Sequence, residues 1–165
     1  MGIISILISV LSLLMSAFSL ASTYYEKHIK TKCYLRWVSQ LSTGPNRSQL
    51  TISLLISNMS SRPSTITNIL LKNQNEYVES AWCPVILLES SDRLKTCYSD
   101  CTPLNVPSRS AKEFIIVFQY LQGFKLKDTI NFSFIIDERE INKTLPVKLI
   151  LDGNQAAMAM NIRLT

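Results

Sequence analysis

The first 25 residues contain no charged side chain, and no other feature constrains this chain as strongly. Glu26 is the first charged residue. A helix over Gly2–Ser22 would be about 30 Å long, which matches the hydrocarbon thickness of a bilayer. Eleven of its residues are Ile, Leu, Val or Phe, the side chains that favour insertion. We therefore predict a transmembrane helix at residues 1–24.

A cleaved signal peptide is the alternative reading of the same segment. The letters "SLA" before Ser22 resemble a small-residue cleavage site. However, no Lys or Arg precedes the apolar run, and the run is longer than the apolar core of a usual secretory signal. These two properties favour a retained anchor.

Serine recurs along the apolar segment in steps of four and three residues. The mean step of 3.5 nearly equals the 3.6 residues of a helical turn, so the serines share one face. In lipid, helices associate through close packing over small residues and through hydroxyl hydrogen bonds. We predict a helix interface, with a second copy or another membrane protein, at Ser5, Ser9, Ser12, Ser16 and Ser19. The alternative is that each hydroxyl bonds a carbonyl of its own helix and faces lipid.

Basic residues follow the apolar segment, whereas only the α-amino group precedes it. The positive-inside rule then places the C-terminal part in the cytoplasm, at a cell inner membrane. The net charge of +5 suits an anionic leaflet. Residues 25–32 are predicted to be a basic juxtamembrane linker. The predicted contacts with the membrane surface are Lys27, Lys30, Lys32 and Arg36.

The remainder of the chain predicts an antiparallel β domain at residues 33–151. Apolar and polar residues alternate in 49–58 and 128–137, as in strands with one buried face. Pro146 lacks a backbone N–H, so its strand lies at a sheet edge or begins at the proline. The other predicted strands are 32–41, 64–72, 77–89 (interrupted or split in two), 112–119 and 143–151, with "EREIN" as a tight connection.

Seven or eight short strands with frequent turn signals indicate an all-β, immunoglobulin-like antiparallel β-sandwich preceded by one transmembrane helix. A small barrel is the alternative. The pattern of the tail, residues 152–165, does not distinguish a short helix from a final strand.

Two segments resemble a known group of proteins. "ISNMSSRPSTITNILL" contains the pattern N-x-S/G-x-R-P-x-x-I at Asn58, Arg62, Pro63 and Ile66, and "PLNVPSRSAKEFIIVF" is similar to a proline-flanked loop before a central strand. The chain thus resembles small bacterial single-pass membrane proteins with an N-terminal helix and an immunoglobulin-like domain, which are mostly uncharacterised. The resemblance implies this fold and an anchor, and it assigns no catalytic or binding residue. Trp37 and Trp82 are expected in the core or at its boundary.

Residue patterns that carry chemistry are scarce. His28 is the single histidine, and it lies in a basic run. With four glycines, no phosphate-binding loop is present. The acidic group at 137–140 is interpreted as a solvated turn. We expect no enzyme, no cofactor, no metal, no nucleic-acid partner and no small-molecule substrate.

The four cysteines are Cys33, Cys83, Cys97 and Cys101. In a cytoplasmic domain we expect reduced thiols. Zinc is the second reading, since only Cys97 and Cys101 approach the spacing of paired zinc ligands. A Cys97–Cys101 disulfide is attractive only if the domain is extracytoplasmic.

These observations predict a non-enzymatic, membrane-anchored interaction module that assembles through its serine-lined helix and displays a β-sandwich at the cytoplasmic face. One alternative is an accessory or immunity-type regulatory subunit of another membrane protein, for example in a defence or toxin system. The other is an extracytoplasmic, disulfide-bonded binding domain.

Overall fold

The computed structural model of the protein describes residues 2–27, 31–89 and 96–161. It begins with one long helix and continues as a β domain that ends in a short helix. The elements in chain order are α1 (Gly2–Lys27), β1 (Thr31–Gly44), β2 (Arg47–Asn58), β3 (Ser64–Asn73), β4 (Glu76–Glu79), β5 (Ile86–Glu89), β6 (Thr96–Tyr98), β7 (Leu104–Val106), β8 (Ser110–Gln122), β9 (Thr129–Ile136), β10 (Arg139–Pro146) and α2 (Gly153–Asn161).

The strands form a sandwich of two sheets, which confirms the predicted fold class. One sheet has the order β1-β2-β8, and the other has the order β10-β9-β3-β4 with β7 also paired to β3. All of these strand pairs are antiparallel. Strands β5 and β6 form a separate hairpin. The sandwich proper therefore has eight strands in the part of the chain that the structure covers.

The alternating segments supply the core between the sheets. Leu50, Ile52, Leu54 and Ile56 of β2 are completely buried. The facing sheet contributes the alternate apolar residues of β9. Ring centroids of Phe118 and Phe132 lie 6.1 Å apart, and those of Phe132 and Phe134 lie 5.7 Å apart. The residues that β9 buries are Ile130, Phe132, Phe134 and Ile136.

A second apolar cluster covers the outer face of the β1-β2-β8 sheet. Trp37 and Ile115 project from the sheet, and Ala156 and Met160 of α2 pack on them together with Cys97. The segment before α2 runs along β1, because Val38 N donates to Leu149 O (3.0 Å) and Leu151 N donates to Val38 O (2.8 Å). The described part of the tail is thus a helix that belongs to the domain.

The final hairpin differs from the sequence prediction. Asp137 and Glu138 have φ of 48° and 66°, and they form a two-residue turn between β9 and β10. Strand β10 therefore begins at Arg139, and the predicted strand at 143–151 was placed too late. Pro146 is the last residue of β10, and β10 is an edge strand, as expected. The short strands β6 and β7 were not predicted.

The predicted boundaries also shift near the linker. Helix α1 continues to Lys27, and β1 begins at Thr31. The sequence predicted a linker at residues 25–32, but the first residues of this segment belong to α1 and the last ones belong to β1. His28 and Lys30 lie outside the described residues.

Candidate functional site

Helix α1 is the most distinctive surface of the molecule. Within the residues that the structure covers, one helix, Gly2–Thr23, is long and apolar enough to cross a membrane, with a mean hydropathy of 2.4. None of it is buried against the rest of the chain. Its large apolar side chains are all at least half exposed, Val10 least at 50% and Ile3 most at 77%. A membrane span and a signal sequence both have these properties.

The five serines of the predicted interface lie along one side of α1. At about 100° per residue, their positions fall within an arc of about 80°. Ser9 Oγ donates to Ser5 O and Ser16 Oγ donates to Ser12 O, each at 2.9 Å. Thr23 Oγ1, which extends the stripe, donates to Ser19 O at 2.8 Å. Since these protons are used within the helix, the hydroxyl oxygens face outward as acceptors and as small surfaces for packing.

The predicted membrane-surface residues divide between two elements. Lys32 and Arg36 are exposed and lie on β1, on either side of exposed Tyr34. Lys27 ends α1, although its side chain is outside the described set, as is the whole of Lys30. The two described basic side chains therefore belong to the sandwich, close to where the chain enters it.

Asn58 joins the two sheets at the same end of the sandwich. It is 1% exposed, and its amide Nδ2 donates to Arg62 O (2.7 Å), Val106 O (3.2 Å) and Pro107 O (3.2 Å). Its Oδ1 accepts hydrogen bonds from Ser60 N (2.9 Å) and Ser60 Oγ (2.6 Å). One side chain thus fixes both the β2–β3 turn and the loop before β8.

This geometry explains the pattern N-x-S/G-x-R-P-x-x-I. The buried groups around this position are backbone carbonyls, which need a donor, and a backbone N–H, which needs an acceptor. An asparagine amide supplies both on one short side chain. Pro63 breaks the strand direction, and Ile66 returns to the core, where it is completely buried. The sequence singled out these residues only by resemblance, and the structure gives them a structural role.

A small apolar surface lies on and beside the β5–β6 hairpin. Ile86 and Tyr98 are cross-strand neighbours, exposed by 55% and 53%. Trp82 precedes the hairpin and is 84% exposed, so its predicted position in the core or at the core boundary was wrong. Trp37 is 8% exposed and buried, as expected. Ala81 N donates to Val117 O (2.8 Å), which turns the chain at the free edge of β8. We call Trp82, Ile86 and Tyr98 the hairpin patch.

The four cysteines are free thiols, with Cys33 and Cys97 buried and Cys83 exposed. Burial raises the pKa of the Cys33 thiol, and the nearby Lys143 ammonium offsets part of that rise. Among residues 2–27, 31–89 and 96–161, no three His, Cys, Asp or Glu side chains come together as a possible metal site.

No protein-family model matches this chain, and no curated protein matches it either. Among solved structures, the copper-bound PCuAC domain from PmoF2 aligns with 74% of this chain and 96% of its own, at 15% identity and a TM-score of 0.47. The apo PCuAC domain from PmoF1 aligns with 74% and 97%, at 11% identity and a TM-score of 0.45. Likenesses this distant say nothing about a ligand. The strand pairing itself defines the class, an all-β immunoglobulin-like sandwich that follows an apolar N-terminal helix.

Proposed function

We propose that this protein is a non-enzymatic, membrane-anchored interaction module. The observation that carries the proposal is helix α1, whose 22-residue apolar span buries none of its surface in the protein. Leaving so many large apolar side chains in water would be costly, at about 25 cal/mol for each Å² of apolar area. A bilayer removes that cost.

The β domain faces the cytoplasm in this proposal. The supporting observation is the charge distribution around the apolar span Gly2–Thr23, which has four basic residues after it and no charged side chain within it. The test is a pair of fusions at the C-terminus, one reporter active only in the periplasm and one active only in the cytoplasm. We expect activity from the cytoplasmic reporter alone. Activity from the periplasmic reporter alone would reverse the orientation and make a disulfide-bonded domain the better hypothesis.

The serine face of α1 is the proposed assembly surface. Small side chains let helix backbones approach closely, and a heptad-like spacing suits a left-handed crossing of about 20°. Each interhelical hydroxyl pair is worth only about 0.6 kcal/mol, and here several protons are already bonded within the helix. Close packing over the serines therefore supplies most of the association.

A membrane-association assay on full-length protein tests this surface. Replacing Ser9, Ser12 and Ser16 together by leucine adds bulk at the interface and should weaken assembly. The matched control replaces Leu7, Leu11 and Leu14, on other faces of α1, by isoleucine and should assemble like the wild type. If the serine variant assembles as well as the control, the serine face is not an interface.

The hairpin patch is the proposed contact surface for a protein partner. Aromatic side chains exposed to this degree are typical of binding hot spots, because they bury large areas at a small entropic cost. Purification in a mild detergent followed by mass analysis would identify a partner. A Trp82→Ser variant, which alters an exposed side chain outside the core, should lose it while retaining assembly through α1. Retention of the partner by this variant would exclude the patch.

A further inference from the structure

Loops at the end of the sandwich opposite Thr31 line an open cavity of about 390 Å³. Its lining comes from the end of β3, the β3–β4 turn, the β8–β9 loop and the start of β9. Lys72 comes from the end of β3, and Lys125 and Lys127 come from the β8–β9 loop. Gln74, Thr129 and Asn131 add neutral polar groups to its wall.

Hydrogen bonds from three directions fix the wall formed by the β8–β9 loop. Asn73 Nδ2 donates to Gln122 O (2.9 Å), which ties the end of β8 to the opposite sheet. Gly123 N donates to Asn46 O (3.1 Å) in the β1–β2 turn. Gln40 Nε2 donates to Phe124 O (3.1 Å). The loop that carries two of the lysines is therefore held in place before any ligand arrives.

The cavity is cationic and has no acidic residue in its lining. Glu76 and Asp128 lie close in sequence, but they do not line it. Among the described carboxylates, none forms an ion pair with Lys72, Lys125 or Lys127. Three like charges around one concavity raise the local potential, and a low-dielectric wall focuses it onto an anion.

The neutral groups are oriented to donate as well. Asn131 Oδ1 accepts a hydrogen bond from Thr144 Oγ1 (2.6 Å), so the NH₂ end of this amide is the one left for a ligand. Thr129 adds a hydroxyl next to it. An oxyanion with several oxygens would thus meet three ammonium groups and two neutral donors, which is the chemistry of phosphate recognition.

We propose that this cavity binds a small, soluble anion that carries two or more phosphate-type charges. The cavity volume of about 390 Å³ suits a small molecule, since ligand pockets typically measure about 300–1,000 Å³. A lipid headgroup has the same chemistry, so the test distinguishes it from a free anion.

The test is calorimetric titration of the full chain in a nonionic detergent with inorganic pyrophosphate. We expect binding that weakens as NaCl is added, because salt screens the ammonium charges. A Lys72→Gln, Lys125→Gln, Lys127→Gln variant should bind about tenfold or more weakly, since each 1.4 kcal/mol of lost contact is a factor of ten. The control removes the same charge from exposed Arg62, Arg139 and Lys148 by substitution with glutamine, and it should bind like the wild type.

Three outcomes would overturn the proposal. The first is no binding of pyrophosphate by the wild type, and the second is equal weakening in the cavity variant and the control, which would reflect net charge alone. In the third, the wild type and the control bind vesicles rich in phosphatidylserine, the cavity variant does not, and none of them responds to pyrophosphate. That result would identify a lipid site. Salt-dependent pyrophosphate binding that is lost only in the cavity variant supports the proposal.

Discussion

Replacing Asn58 by alanine should destabilise the sandwich by about 3 kcal/mol, since a buried polar group left unpaired costs about 1–3 kcal/mol. Of the groups bonded to its side chain, three have another hydrogen bond, namely Ser60 Oγ, Arg62 O and Pro107 O. Arg62 O also accepts from Ser60 Oγ, and Pro107 O also accepts from Ser110 Oγ. Val106 O and Ser60 N lose the bond that the side chain supplies. Partial access of water to Ser60 keeps the loss in the lower half of the range for two such groups, which is about 2–6 kcal/mol.

Urea unfolding of the full chain in nonionic detergent measures this change. Buried Trp37 reports the unfolding, and a Trp82→Phe background removes the signal of the exposed indole. Asn105→Ala is the matched control, because exposed Asn105 accepts one bond from Thr65 Oγ1 (2.9 Å) at the surface, and its loss should cost under about 0.5 kcal/mol. If the two variants unfold at the same urea concentration, Asn58 is not a stabilising joint and the reasoning fails.

The cysteines give the remaining predictions. A maleimide reagent should label exposed Cys83 rapidly and buried Cys33 and Cys97 only upon unfolding; rapid labelling of Cys33 would contradict its burial. Because burial raises the pKa of Cys33 in the folded chain, the thiol of the unfolded chain ionises first. The free energy of unfolding should therefore decline as the pH rises above 9.0, the ordinary pKa of the thiol. A Cys33→Ala variant should show a smaller alkaline decline in free energy of unfolding than the wild type, and an equal decline would exclude the thiol as its source. Purified protein should contain no stoichiometric zinc, and a chelator should leave its circular dichroism unchanged; loss of structure would establish a metal-dependent fold.

The strands that the sequence predicts well are those with a long alternating pattern. In β2 and β9 every second residue is apolar and buried, so the period of two is strong over the whole strand. Strands β6 and β7 have three residues each, which is too short for any period to be visible. The β9–β10 turn was misplaced because Asp137 and Glu138 adopt left-handed φ without the Asn-Gly or Asp-Gly pair that normally signals such a turn.

The functional surfaces were predictable to different degrees. The apolar helix is a continuous local feature, and its length and composition are legible in the sequence. The cationic cavity is not, because Lys72 and Lys125 lie 53 positions apart in the sequence and meet only through the sheet topology. The exposure of Trp82 likewise depends on a bend in the chain after β4, which no residue pattern predicts.

The pairing of Val38 with the segment around Ile150 has a consequence for how the chain is made. Val38 leaves the ribosome 112 residues before Ile150. At about 5–20 residues per second, synthesis of the intervening chain takes roughly 6–22 s. During that interval the outer edge of β1 and the face around Trp37 lack their final cover, and an open strand edge readily pairs with other chains. Nascent protein is therefore vulnerable to aggregation until Ile150 has been synthesised, and a chain that stops short of Ile150 would keep that vulnerability permanently.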